Sequence, residues 1–154
     1  MTRLDEQIVV IERRLRQWML EDKAVKSITE IPGVGVLAAT SAVATMGDVK
    51  SFRSGREFAA WIGLVPKQTG LGGKVTLLGI SRRGDTYLRT LLIHGARSVL
   101  NHAKVPGPWV EQVSKRRPQN VVTVALANKM ARTIWAVLAH DRPYQKGHVS
   151  AKPA

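Results

Sequence analysis

Ile28-Thr29-Glu30-Ile31-Pro32-Gly33-Val34-Gly35-Val36-Leu37-Ala38-Ala39-Thr40 sets a short apolar helix before Pro-Gly-Val-Gly and a second, small-residue helix after it. The pattern reads as a helix-hairpin-helix. Gly33 and Gly35 permit a tight hairpin and a close backbone approach, while Val34 points inward and pins the two helices. Amides at the start of the second helix can donate to a phosphate oxygen with help from the helix dipole, a contact that positions a backbone without reading sequence. A Gly-X-Gly turn also serves as plain structure, so the flanking chain has to decide between the two.

N-terminal to the hairpin, Thr2 and Asp5 form a capping pair, and Leu4, Ile8, Ile11, Leu15 and Trp18 recur at intervals of four and three. That is a coiled-coil seam over residues 1–25. It predicts either a helix packed on its own domain or an arm that pairs with a second copy or a longer relative of the chain. C-terminal to it, Ser51 or Ser54 can cap a helix carrying Phe58, Ala59, Trp61 and Ile62, which Gly63 and Pro66 end; Trp61 reads as core.

Lys67 to Gly84 is the most unusual stretch, with five glycines, four Lys/Arg and no acid in Lys-Gln-Thr-Gly-Leu-Gly-Gly-Lys-Val-Thr-Leu-Leu-Gly-Ile-Ser-Arg-Arg-Gly. A hairpin about Gly72-Gly73 with Val75, Thr76 and Leu77 in a strand fits it, as does a solvated loop. Lys67, Lys74, Arg82 and Arg83 supply charge for phosphates. Asp85 can cap a helix running to about His102, whose Arg89 and Arg97 extend a basic surface. Asn120 reads as the cap of a last helix with a broad apolar face from Val121 to Leu138 and with Lys129 and Arg132 on its other side. The expected fold is therefore mainly α: an N-terminal coiled-coil helix, a helix-hairpin-helix, a short basic Gly-rich β-hairpin and a C-terminal helical core. Residues 26–144 form one domain and 145–154 a disordered tail.

Charge placement narrows the function. The chain carries a net +13. Residues 1–66 hold nine Lys/Arg against eight Asp/Glu, a net of +1, whereas residues 67–154 hold fifteen against three, a net of +12. Such one-sided basicity suits a polyanion, because neutralising phosphates releases condensed counterions. With no cysteine in the chain, disulfide and thiolate chemistry are excluded. The histidines His94, His102, His140 and His148 show no ligand spacing, so no metal site is expected. No apolar run is read as approaching the ~20 residues of a membrane span, which points to a cytoplasmic protein without a membrane partner.

Five ordered motifs carry a resemblance: Ile31-Pro32-Gly33-Val34-Gly35, Phe58 to Pro66, Gly72-Gly73-Lys74, Gly79 to Asp85 with Leu88-Arg89, and Val124 to Arg132. The chain resembles the C-terminal domain of DEDD (RuvC-like) insertion-sequence transposases, whose metal-dependent domain is joined through a coiled coil to a serine-bearing domain. The resemblance implies DNA as partner, DNA transposition as process, an element-encoded guide RNA in some members, and divalent metal (Mg) bound by the N-terminal domain, with no cofactor in this chain. Since Met1 stands at the start of the coil, the expectation is a truncated form that does not cut DNA alone; the alternative is a stand-alone nucleic-acid-binding or dimerising module that modulates transposition. Relatives carry a serine where this chain has Thr69, Gly70 and Leu71. That leaves Thr69 and Ser81 as candidate nucleophiles, Ser81 lying beside two guanidiniums that could stabilise phosphate charge.

Overall fold

The computed structural model describes residues 2–147, so the tail expected over 145–154 lies mostly outside the described residues. The fold is mainly helical with one small antiparallel sheet. In order come α1 (Arg3–Glu21), α2 (Lys23–Thr29), α3 (Val36–Met46), a 3-10 turn (Val49–Ser51), α4 (Gly55–Ile62), β1 (Pro66–Leu71), β2 (Lys74–Ile80), α5 (Thr86–His102), α6 (Pro108–Ser114) and α7 (Gln119–His140).

Local chemistry sets most boundaries. Thr2 and Asp5 form a reciprocal capping box on α1, the Asp5 amide donating to Thr2 Oγ1 at 3.4 Å and the Thr2 amide to Asp5 Oδ2 at 2.9 Å. Ser54 accepts from the Glu57 amide to start α4, and Gly63, left-handed at φ 86°, ends it. Asp85 accepts from the Leu88 amide at 2.7 Å to start α5. The last helix departs from expectation: Pro118, not Asn120, precedes its first turn. Pro118 stays extended at ψ 151°, as a residue just outside a helix does, and its carbonyl takes the amides of Val121 and Val122.

α7 is the centre of the core. It packs on α4 and α5 and more lightly on α2 and α6, and Phe58, Ile62, Leu88, Leu92 and Ile134 are fully buried among them. Each such side chain stabilises the fold by roughly 1.5–3 kcal/mol relative to exposure. α7 is also the one helix among the described residues long and apolar enough to cross a membrane, which corrects the reading that no run comes close. Here its apolar face meets neighbouring helices.

Trp61 also departs from expectation, because it is 43% exposed instead of sitting in the core. α4 buries Phe58, Ala59 and Ile62, and Trp61 falls at the edge of that face. Its ring meets the edges of Phe52 at 5.6 Å and stacks beside Phe58 at 6.4 Å, an aromatic group assembled from two separate segments.

Along α1 no residue is fully buried: Leu15 and Met19 are half-buried towards the body while Leu4, Ile8 and Ile11 are exposed. The helix packs on α2 and α3 by its C-terminal end and leaves its first turns uncovered.

Candidate nucleic-acid interface

The expected glycine turn is present. Gly72 and Gly73 have φ of 62° and 82°, the signature of a type I′ hairpin turn, and join strands paired Leu71↔Lys74, Gly70↔Val75, Thr69↔Thr76 and Gln68↔Leu77. An irregularity opposite Lys67 places an extra residue in β2 near the foot. Every residue from Pro66 to Gly79 is exposed, so the ribbon projects from the helical body.

The foot of the ribbon is held from beneath. Ser81 donates its amide to the Val65 carbonyl at 2.8 Å. Arg89, on α5, donates from one guanidinium nitrogen to the Ile62 and Arg83 carbonyls at 2.9 and 3.0 Å and from another to Thr86 Oγ1 at 3.3 Å. Asn128, on α7, donates to the Leu64 carbonyl at 3.0 Å. Gly84 passes so close to the Trp61 carbonyl that a side chain there has no room, and its φ is 78°. Arg82 adopts a left-handed φ of 56°, which costs an L-residue about 1–2 kcal/mol and turns the chain from β2 towards Asp85.

The sequence-selected residues therefore separate into groups. Lys67, Lys74, Arg82 and Arg83 are exposed on the ribbon and the strap that follows it. Among the described residues the ion pairs are Arg16–Glu12 and Lys23–Asp141, so these four cations have no acidic partner. Arg89, read from sequence as part of the basic surface, is 7% exposed and already holds three protein acceptors; its role in this fold is to clamp the ribbon foot. Arg132 is exposed one helical turn from Asn128, on the side of α7 that meets the foot. Lys129 is exposed too, but its ammonium lies 4.6 Å from the Trp109 ring centroid, and desolvation, followed by the nearby Arg132 charge, lowers its pKa.

The glycine hairpin is placed differently. Val34 is buried, as its pattern predicts. Gly33, at φ 84°, brings its backbone against α5: a Cβ there would stand 2.8 Å from the Gly95 carbonyl oxygen and 2.9 Å from a Val99 methyl. The close approach that glycine permits is thus made to a neighbouring helix. Gly35 faces open space at the start of α3 and offers no side-chain cap, so the first amides of α3 are left to solvent. Gly95 stands six residues from Arg89, about 9 Å along α5 and a third of a turn round it. The structure does not bring the hairpin and the ribbon foot onto one face of that helix.

The two candidate hydroxyls also differ. Thr69 lies exposed on β1. Ser81 Oγ is buried and without a hydrogen-bond partner, beneath the strap. A nucleophile must reach its phosphorus, and in this conformation only the Thr69 hydroxyl meets solvent.

Residues 25–111 match the sequence profile described as Transposase IS116/IS110/IS902 family. The chain is 45% identical over 148 residues to a Pseudomonas aeruginosa protein named "Probable family 20 transposase", covering 94% of this chain and 44% of that relative. It is 44% identical over 147 residues to the transposase for insertion sequence element IS1111A of Coxiella burnetii, covering 93% and 40%. Against the transposase for IS1328 of Yersinia enterocolitica the identity is 40% over 147 residues, covering 93% and 44%. This chain thus spans less than half the length of these curated relatives. The match extends from the glycine hairpin through the basic ribbon to α6, and it shows that the chain belongs to the IS116/IS110/IS902 family of transposases.

Proposed function

We propose that this chain supplies a DNA-binding part of an insertion-sequence transposase, holding nucleic-acid backbone through the ribbon and strap. The observation that carries the reading is the projecting segment from Lys67 to Gly84, whose four cations are exposed and whose sequence contains no acid. Phosphate neutralisation by such groups yields affinity that falls steeply with salt. Arg132 and the uncapped start of α3, with Gly35, are further points at which a phosphate can be met. A guide RNA would be met through the same backbone chemistry.

Strand exchange by a whole transposase needs groups beyond those described. Of the two candidate hydroxyls, Thr69 on the ribbon is the exposed one; divalent metal would act through another part of the enzyme. The exposed stripe of α1 gives the chain a route to self-association or to pairing with a longer transposase.

Filter binding of a duplex across a salt series tests the reading. Every phosphate that a cation no longer neutralises reduces the slope of log K against log salt by about 0.9, so Arg82→Ala with Arg83→Ala should flatten it by roughly two. Absence of any measurable affinity for DNA or RNA at low salt overturns the proposal.

A further inference from the structure

We propose that β1–β2 is a two-faced arm, and that the face bearing Lys67, Thr69, Leu71, Lys74 and Thr76 lies in the major groove of duplex DNA. The inference rests on the nucleic-acid-binding reading above and adds which surface, which groove and which nucleic acid.

Alternation along β1 puts Lys67, Thr69 and Leu71 on one side. The pairs Leu71↔Lys74 and Thr69↔Thr76 bring Lys74 and Thr76 to that same side. The opposite side receives Gln68, Gly70, Val75 and Leu77. One surface of the ribbon is therefore cationic and hydroxyl-bearing with a single aliphatic group near its tip, and the other is uncharged, with Val75 and Leu77 beside the amide of Gln68. Both are open: Leu71 is 93%, Val75 65% and Leu77 63% exposed.

Only the first surface matches a groove. Lys67 sits at the foot and Lys74 beside the turn, about 13 Å apart along the ribbon at ~3.3 Å per residue. Lys67 is on β1 and Lys74 on β2, so with the ribbon running along the major groove of B-DNA, about 12 Å wide, each ammonium reaches the phosphate wall beside its own strand. Between them the hydroxyls of Thr69 and Thr76 face the donors and acceptors of base edges, and Leu71 supplies apolar contact of the kind a thymine methyl accepts. A two-stranded ribbon fits this groove, whereas the deep, narrow major groove of A-form RNA excludes it, so the ribbon suits DNA. An isolated two-stranded hairpin is marginal in water, and the I′ turn and clamped foot hold this one ready for its ligand.

The test uses the full chain and a labelled B-form duplex at low salt, with circular dichroism and thermal melts to verify that each variant folds. Lys67→Ala with Lys74→Ala should lower affinity at least about tenfold and reduce the salt slope by roughly two. Leu71→Ala should weaken binding with the slope unchanged. Val75→Thr with Leu77→Thr, on the other face, should change neither. Methyl green, a major-groove ligand, should displace the wild-type chain, and netropsin, a minor-groove ligand, should not. Equal weakening from both faces, an unchanged slope in the lysine pair, displacement by netropsin alone, or the same lysine dependence on duplex RNA each overturn the groove assignment while nucleic-acid binding stands. Failure of the unmodified chain to bind any nucleic acid is a different result and overturns both readings.

Discussion

Gly33 and Gly95 pass each other backbone against backbone, the Gly95 carbonyl oxygen standing 2.8 Å from where a Gly33 Cβ would lie. The same contact seen from α5 leaves a Gly95 side chain no room against the Gly33 carbonyl. The turn between α2 and α3 is thus seated on α5, and each glycine depends on the other.

Gly95→Ala should therefore destabilise the chain by about 1–3 kcal/mol in urea unfolding, the range for inserting a methyl into a packed contact. Gly35→Ala, at φ −81° with no neighbour within reach of a Cβ, should change stability by less than about 1 kcal/mol. Equal stability of the two variants would show that the seat is not a packing constraint.

Arg89 should matter for folding more than its exposed neighbours do. Replacing it with Met removes the donor from the Ile62 and Arg83 carbonyls beneath the strap and should cost about 2–4 kcal/mol. Arg83→Ala, which keeps the accepting carbonyl and removes only an exposed side chain, should fall within about 0.5 kcal/mol of wild type while weakening DNA binding. Chemical unfolding of the two variants beside filter binding separates the roles.

The start of α1 should be acid-sensitive. Hydrogen bonds from the Thr2 backbone and then its hydroxyl hold the Asp5 carboxyl below its ordinary value of 3.8. A depressed carboxyl contributes stability that is complete above the unfolded value and is lost as pH falls through the folded one. The protection of amides in the first turn of α1, their exchange taken relative to an unstructured peptide at the same pH, should fall below about pH 4, and Asp5→Asn should remove that dependence. Exchange with the same pH profile in both proteins would exclude the cap as its source.

The uncovered stripe of α1 predicts self-association. Ile8 and Ile11 are 52% and 57% exposed, so Ile8→Glu with Ile11→Glu should leave the fold intact. Sedimentation should show an oligomer for the wild-type chain and a monomer for the variant. A wild-type chain that is monomeric at every concentration refutes this.

Features decided within a few residues were legible in the sequence. The Thr2–Asp5 box, the Ser54 and Asp85 caps and the Gly72-Gly73 turn each depend on a side chain or a φ value at its own position. What the sequence hid was decided by partners far along the chain. Arg89 looks like any helical arginine until α4 ends with its Ile62 carbonyl above it, 27 residues away in sequence. Trp61 lies at the edge of a short helix, where small differences in packing decide between core and surface, and Phe52 reaches it from another segment. Gly33 carries the signal of close approach, but nothing local says whether a phosphate or Gly95 is approached. Part of the site, the run from Lys67 to Arg83, could be found by charge and glycine content alone; its division into two faces needed the register.

The ribbon also marks a seam through the molecule. Helices before it, α3 and α4, pack on helices after it, α5 and α7, while the ribbon itself touches little else. Limited tryptic cleavage in this segment, at Lys67, Lys74, Arg82 or Arg83, should therefore yield pieces that stay joined as one particle on a sizing column and part only in denaturant. Two such pieces expressed separately should find each other, making the tip a natural point at which to divide the chain or lengthen it without disturbing its interior.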